Sequence, residues 1–239
     1  MTAETELLQR VRDALRTDTS IGFDEQPIVL ALSDGALLVD GEVPDVAVKR
    51  RTLRTVAAVV ALRPVIDRLH VQPAQPMEDG MIGDHVRDAL VAEPALADCR
   101  VRIWVKGRPE LVCDPLSASG AIDIRVDGGV VTLDGEVTGL GHKRLAGALA
   151  WWVPGSRDVI NGIGVAPPEE DSDAEITDAV RLVLEKDAFV NAAQIRVITE
   201  KAVVGLYGLV PTESERNMAE HDAWYVFGVE NVVNRIVVG

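Results

Sequence analysis

Histidines and cysteines are the side chains in this sequence that would most readily do chemistry, and they are few. No two histidines stand at HExxH or a similar metal-binding spacing. The two cysteines lack the CxxC spacing of a zinc or redox site, and neither lies in a nucleophile motif. A GxSxG elbow and a Walker-type phosphate loop are also missing from the sequence. We therefore expect no catalytic residue, no metal site and no cofactor. The residues concerned are His70, His85, His142, His221, Cys99 and Cys113.

One basic cluster could bind an anion. The segment KRRTLR places Lys49, Arg50, Arg51 and Arg54 within six residues, at the start of a predicted helix. Four positive charges close to a helix N-terminus could hold phosphate groups. A solvated helix face would explain the same charges without a ligand, and the sequence leaves both interpretations open.

The overall charge restricts the classes of partner. The formal net charge is −14 over 239 residues, which opposes binding to nucleic acid and to strongly anionic membranes. The N-terminal residues, MTAETELLQRVRDAL, predict an amphipathic helix and not a leader peptide. The chain as given is expected to be cytoplasmic, and periplasmic or envelope-associated only if a leader was removed.

An internal repeat in the sequence predicts the helices and strands that would position any functional site. Gly41, Gly135 and Gly208 each lie in a run of alternating apolar residues, which predicts a strand with one buried face. The same residue types recur at fixed distances from each glycine, and we interpret the glycines as structural, allowing a helix to pack closely on the strand. The recurring residues are isoleucine thirteen positions earlier (Ile28, Ile122, Ile195), a basic residue eight later (Lys49, Lys143, Arg216) and Asp or Asn twenty-six later (Asp67, Asn161, Asn234).

The repeat predicts an α+β fold of three tandem αββαβ modules. Segments with apolar residues at helical spacing precede and follow each predicted strand pair. Turn residues between the first two strands predict an antiparallel hairpin, and the second and third strands should run parallel around the second helix. Each module is then a three-stranded mixed sheet with two helices on one face.

At the level of motifs the chain resembles the BON domain family of bacterial osmotically inducible and nodulation proteins. The strand GVVTLDGEV at 129–137 and the closing segment FGVENVVN at 227–234 carry the resemblance. It covers three modules, which we name the first (1–72), second (80–166) and third (173–239) module. The first module departs most from the pattern, because Leu62-Arg63-Pro64 stands where the closing motif has glycine.

The second module contains an insertion at about 99–120. The segment CRVRIWVKGRPELVC alternates and breaks at Lys106-Gly107, which predicts a protruding hairpin with Cys99 facing Cys113. The two thiols could form a disulfide in an oxidising compartment and would stay reduced in the cytoplasm. The hairpin is either a surface loop with no binding role or an arm that contacts a partner through Trp104.

Each two-layer module leaves one sheet face uncovered, and the third module's is apolar. Ile198, Val203, Tyr207 and Leu209 are expected on it, whereas the second module's face is polar. A large apolar face usually packs on something. A sibling module, a second copy of the chain, another protein or lipid could cover it. The acidic segment 169–175 is expected to be a solvated linker.

These features favour a non-enzymatic binding or scaffold protein. The resemblance implies attachment to phospholipid or an envelope component and a role in osmotic stress, and it leaves a partner protein open. A small-ligand or potassium sensor is an alternative, because a relative of this fold binds potassium. A structural subunit of a homo-oligomer is another.

Overall fold

The computed structural model describes residues 3–239, which fall into two compact units divided between Gln72 and Pro73. The first unit contains one αββαβ module and the second contains two. The predicted α+β class is confirmed, with a mixed sheet in each module. The first two residues of the predicted N-terminal helix lie outside the described residues.

In the first module, two helices cover one face of a three-stranded sheet. The middle strand pairs antiparallel with the strand before it and parallel with the strand after it. Val11, Leu37 and Leu69, from three different elements, are fully buried between the layers. The elements are α1 (Ala3–Thr17), β1 (Val29–Ser33), β2 (Ala36–Val43), α2 (Val46–Val60) and β3 (Val65–Val71).

The third module repeats this arrangement. Its middle strand again pairs antiparallel with the strand before it and parallel with the strand after it. Its helices begin at capping hydroxyls, because the side chains of Ser172 and Thr212 accept from main-chain N–H groups of the first turn. The elements are α5 (Asp173–Lys186), β10 (Ile195–Glu200), β11 (Val203–Val210), α6 (Glu213–Tyr225) and β12 (Asn231–Val238).

The second module has a larger sheet than predicted. Its insertion is a hairpin that turns at Lys106-Gly107, as expected, but its first strand joins the sheet edge in parallel instead of protruding. The elements are α3 (Asp79–Ala92), β4 (Cys99–Val105), β5 (Arg108–Cys113), β6 (Gly120–Asp127), β7 (Val130–Val137), α4 (Leu140–Trp151), β8 (Asp158–Asn161) and β9 (Gly164–Val165). The sheet therefore has six strands, in the order β5-β4-β6-β7-β8, and β9 also pairs with β7.

The expectation that Cys99 faces Cys113 is wrong. The two-residue turn pairs Val105 with Arg108, and a register shift after Val101 places Cys113 opposite Val101. Both cysteines are free thiols, with Cys99 buried and Cys113 half-buried. The turn residues were predictable, but the register shift depends on the bulge in the hairpin.

The repeated glycines are explained by a neighbouring strand and not by a packed helix. Gly135 has φ +118°, and a Cβ placed there would lie 2.1 Å from the main-chain oxygen of Ala121. The corresponding distance at Gly41 is 2.2 Å, to Pro27 O, with φ +140°. Ile122 pairs with Gly135 and Ile195 with Gly208, so the thirteen-residue spacing is the register of the hairpin.

The second and third modules pack helix against helix. Helix α4 contacts α3, α5 and α6, and the rings of Trp151 and Tyr225 stack with centroids 5.3 Å apart. The open sheet of the third module is therefore not used for this contact. The second module therefore does not cover that sheet face, because its helix layer supplies the contact with the third module instead.

The acidic segment between these modules is not simply solvated. Glu169 accepts from Leu140 N at 2.7 Å, at the start of α4, where Gly139 offers no capping side chain. Asp171 pairs with Arg144, which is 1% exposed. Acidic residues near a helix N-terminus or a buried guanidinium are stabilised electrostatically, so part of this segment helps to join the modules.

Candidate functional site

The open sheet face of the third module is the strongest candidate for a binding surface. Ile198, Leu209 and Val237 on this face are 45%, 56% and 60% exposed. Val203 and Tyr207 share the face and are half-buried. The side chains of Val203, Tyr207 and Leu209 point the same way because alternate residues of a strand lie on opposite faces. The intervening residues of β11 are buried against the helices; they include Val204, Leu206 and Val210.

Tyr207 lies at the centre of this face between two arginines. The guanidinium of Arg196 lies 5.4 Å from the ring centroid, and that of Arg235 lies 5.8 Å from it. Both arginines pair with Tyr207 in the sheet register, one on each neighbouring strand. The ring also lies over Gly205, where a Cβ would come within 2.8 Å of Tyr207 Cε2. The face thus combines an ordered aromatic ring, two cations and exposed aliphatic groups.

The two arginines were absent from the sequence prediction. The signal that could have found them is the spacing between Ile195 and Gly208: once these residues are paired, Arg196 must lie opposite Tyr207. Arg235 follows from the parallel register of β12.

The predicted basic cluster is only partly a surface. Lys49 is 2% exposed, and its Nζ lies 3.0 Å from Asp67 Oδ2 and 2.5 Å from Leu69 O. The prediction that Lys49 takes part in surface phosphate binding is therefore wrong. Arg50 and Arg54 are exposed and Arg51 is half-buried, all on α2.

Burial of Lys49 follows from a change in the repeat. In the other modules an asparagine side chain donates to the main-chain oxygen of the basic residue, from Asn161 to Lys143 O at 2.7 Å and from Asn234 to Arg216 O at 2.9 Å. Asp67 has a carboxylate at that position, which accepts from the Lys49 ammonium instead. Lys49 Nζ also donates to Leu69 O, so the basic side chain itself connects α2 to β3.

Trp104 lies on the outer sheet face of the second module. The guanidinium of Arg125 lies 4.3 Å from the centroid of its ring. Two ion pairs cross the same face, Arg102 with Asp123 and Arg125 with Asp134, each at 2.6 Å. This face is polar, as expected, and Trp104 is half-buried within it.

Buried ionisable groups lie where the second and third modules meet. Arg144 donates to Phe227 O at 2.9 Å, and Trp152 Nε1 donates to Asp222 Oδ1 at 2.8 Å. Burial raises the pKa of Asp222 to about 8, and the nearby carboxylate of Asp187 adds to this effect. These groups connect the modules, and the sequence offered no sign of them because their partners are distant along the chain.

The described part of the chain shows no group of three or more His, Cys, Asp or Glu residues that could hold a metal ion. Burial, and secondarily the Asp98 carboxylate, raises the pKa of the Cys99 thiol, which makes it a weak nucleophile. Within residues 3–239, none of the helices has the length and apolar character needed to cross a bilayer.

Comparison with solved structures finds a weak likeness to a structural protein of a secretion system. The C-terminal domain of CdsD, from the type III secretion system of Chlamydia trachomatis, is 13% identical to this chain, with full coverage of both chains and a TM-score of 0.25. A second structure of CdsD is 14% identical over 98% of this chain and 92% of that chain, also with a TM-score of 0.25. No curated protein matches the chain.

Comparison with family models gives a clear result. The BON domain model matches residues 108–167 and 172–239, which include the sheet hairpins, the second helices and the closing strands of the second and third modules. The two matched segments make up more than half of the sequence, and the chain therefore belongs to the BON domain family.

Proposed function

We propose that this chain is a non-catalytic attachment protein that binds a phospholipid surface through the open sheet face of its third module. The observation that carries the proposal is the set of exposed aliphatic residues around Tyr207, flanked by Arg196 and Arg235. Membership of the BON family, whose domains are associated with membrane or phospholipid binding, supports the choice of partner.

The chemistry of the face fits a lipid headgroup layer. Guanidinium groups bind phosphate through paired hydrogen bonds, and tyrosine favours the boundary between apolar and aqueous phases. Leu209 and Val237 are paired across β11 and β12, so their side chains can enter the acyl boundary together. The net charge of −14 opposes the approach to anionic membranes, so contact depends on this local face and should weaken with salt.

We also propose that the first module is a divergent third BON domain, beyond the two segments that the family model matches. It repeats the element order and sheet topology of the third module. It also has a glycine, Gly41, whose Cβ position meets the main-chain carbonyl of Pro27, just before β1. A variant of the contact between the third strand and the second helix is present too.

The non-catalytic role is supported by what the buried charged residues do. Lys49 and Arg144 bond to carboxylates and main-chain oxygens, and Asp222 accepts from Trp152. Each of these contacts joins two elements or two modules, so the buried charged residues have a structural role.

Vesicle co-sedimentation at low salt tests the lipid proposal. We expect the chain to sediment with phosphatidylcholine vesicles or with vesicles that also contain phosphatidylglycerol. Leu209→Glu should reduce binding by about tenfold, because it places a charge in the apolar contact. Leu111→Glu is the matched control, since Leu111 is 58% exposed on β5 in the second module, and it should bind as the parent chain does. Absence of sedimentation with both vesicle types, or an equal loss for the two variants, would contradict the proposal.

A further inference from the structure

The sheet of the second module shows how a BON sheet can accept an additional strand. Strand β4 pairs parallel with β6, in a register that places Cys99 beside Gly120 and Ile103 beside Ile124. The corresponding first strands of the other modules are edge strands. An edge strand presents unpaired main-chain groups that can bind another strand.

The edge of β10 in the third module corresponds to the edge that β4 occupies. Aligning Ile122 with Ile195 places Arg196 at the position of Asp123 and Val197 at the position of Ile124. In residues 3–239, β10 pairs with β11 alone. The outer edge of β10 is therefore available for a strand that would pair as β4 does.

A groove lies beside this edge, where the side chains of an added strand would pack. It has a volume of about 410 Å³, between α5 and β10, and its lining includes Thr177, Val197 and Thr199. In the second module, Ile103 of the added strand packs against Gly83 on the corresponding helix, where a Cβ would lie 2.9 Å from Ile103 Cδ1. Thr177 stands at the position of Gly83, so an added strand needs a shorter residue than isoleucine there.

Arg181 protects this edge in the free chain. Its guanidinium donates to Val197 O at 3.3 Å and lies 3.4 Å from Asp178. The corresponding arginine, Arg87, instead bonds to Asp84 and Asp88, in the module whose edge is occupied. A long charged side chain over an edge carbonyl is a common protection against unwanted strand pairing.

Charge specifies the occupant of the site. In the second module Arg102 of β4 forms a bidentate pair with Asp123, at 2.6 and 2.8 Å. The charge at the Asp123 position is reversed in the third module, where Arg196 is exposed. An added strand must then carry an acidic residue in place of Arg102, because like charges opposite each other destabilise a strand pair.

We propose that the β10 edge and its groove form a strand-addition site for an extended segment of a partner protein, with an acidic residue opposite Arg196 and small aliphatic residues toward α5. The site shares Arg196 with the proposed lipid-binding face but otherwise uses main-chain groups of the sheet edge and the groove on the helix side. Displacement of Arg181 from Val197 O accompanies binding.

A peptide based on the β4 sequence tests the proposal. The probe has the sequence of residues 99–105 with the changes Cys99→Ser, Arg102→Glu and Ile103→Val, and the comparison peptide keeps Arg102. Binding to the full chain is followed by amide chemical shifts. We expect saturable shifts in β10 and α5, and binding of the Arg102 peptide that is weaker by about tenfold.

A charge reversal in the chain provides the matched control. Arg196→Glu should invert the preference, so that the peptide with Arg102 binds more tightly than the peptide with Glu. Such an inversion cannot result from misfolding, which would only remove binding.

Three outcomes would overturn the proposal: no shifts in β10, shifts confined to β12, or no effect of the charge reversal. A mass in light scattering that doubles in the parent chain and returns to monomer in Arg196→Glu would also overturn it, since a second copy would then occupy the edge. Vesicle binding is measured separately, so failure of either proposal leaves the other intact.

Discussion

Trp152 Nε1 donates a 2.8 Å hydrogen bond to Asp222 Oδ1, and this bond joins the end of α4 in the second module to α6 in the third. The Asp222 carboxyl is 2% exposed, and the Asp187 carboxylate is close by. Burial keeps the carboxyl protonated well above its ordinary pKa. The contact between these modules is therefore linked to pH.

We predict that the stability of the second and third modules falls as the pH rises toward 8. The Asp222 pKa is about 8 in the folded chain, against 3.8 for an unperturbed aspartate side chain. Between these values the folded state binds more protons than the unfolded state, so the free energy of unfolding falls by at most about 1.4 kcal/mol per pH unit. Asp222→Asn should remove this dependence, because the amide oxygen can still accept from Trp152. Urea unfolding at several pH values measures how the free energy of unfolding changes with pH. The variant Asp178→Asn, at an exposed position, is the control and should keep the pH dependence of the parent chain.

The pair of Lys49 and Asp67 should be needed for the stability of the first module. Asp67→Asn removes the carboxylate that lies 3.0 Å from the buried Lys49 ammonium and should cost about 2 kcal/mol. The double variant Lys49→Met, Asp67→Asn should recover most of this loss, since it restores the asparagine of the other modules. All four tryptophans lie after residue 72, so the change should appear in circular dichroism and be absent from tryptophan fluorescence. Equal changes in both signals would contradict the prediction.

Gly135 should not tolerate a side chain. Gly135→Ala places a Cβ against Ala121 O in a backbone conformation that L-residues rarely adopt, and we expect a loss of about 3 kcal/mol. Gly141→Ala is the control, because no atom lies within 4 Å of its Cβ position in α4 and alanine favours helix. Thermal unfolding should place the first variant well below the parent chain and the second at or above it.

Arg144 should hold the second and third modules together. Arg144→Ala leaves Asp171 and Phe227 O without their donor and should destabilise the contact by about 3 kcal/mol. Hydrogen exchange should become faster in α4 and α6. Arg125→Ala, which breaks an exposed ion pair with Asp134, should leave exchange in these helices unchanged.

The two cysteines should differ in reactivity. Cys99 is 2% exposed and its thiol pKa is raised by burial, whereas Cys113 is half-buried at the end of an edge strand. A thiol reagent at neutral pH should label Cys113 first and Cys99 only on unfolding. Mass spectrometry of the digested chain reads out the order, and equal labelling of both sites in the native chain would contradict it.

The sequence by itself determined the repeat, the αββαβ order of elements in each module and the buried face of the strands around Gly135 and Gly208. These features depend on the period of the apolar residues, and a period is visible locally. The position of the inserted hairpin and its turn at Lys106-Gly107 were predictable for the same reason.

Only the tertiary structure decided which surfaces are buried and which residues meet. Lys49 is basic and was predicted to be exposed, but it is buried and forms an ion pair with Asp67. The hairpin could have protruded, but pairing of Ile103 with Ile124 adds it to the sheet. Helix α4, not the apolar sheet of the third module, supplies the contact between the second and third modules. These outcomes depend on contacts between residues far apart in the chain, and a periodic pattern carries no information about which distant partner a given face will find.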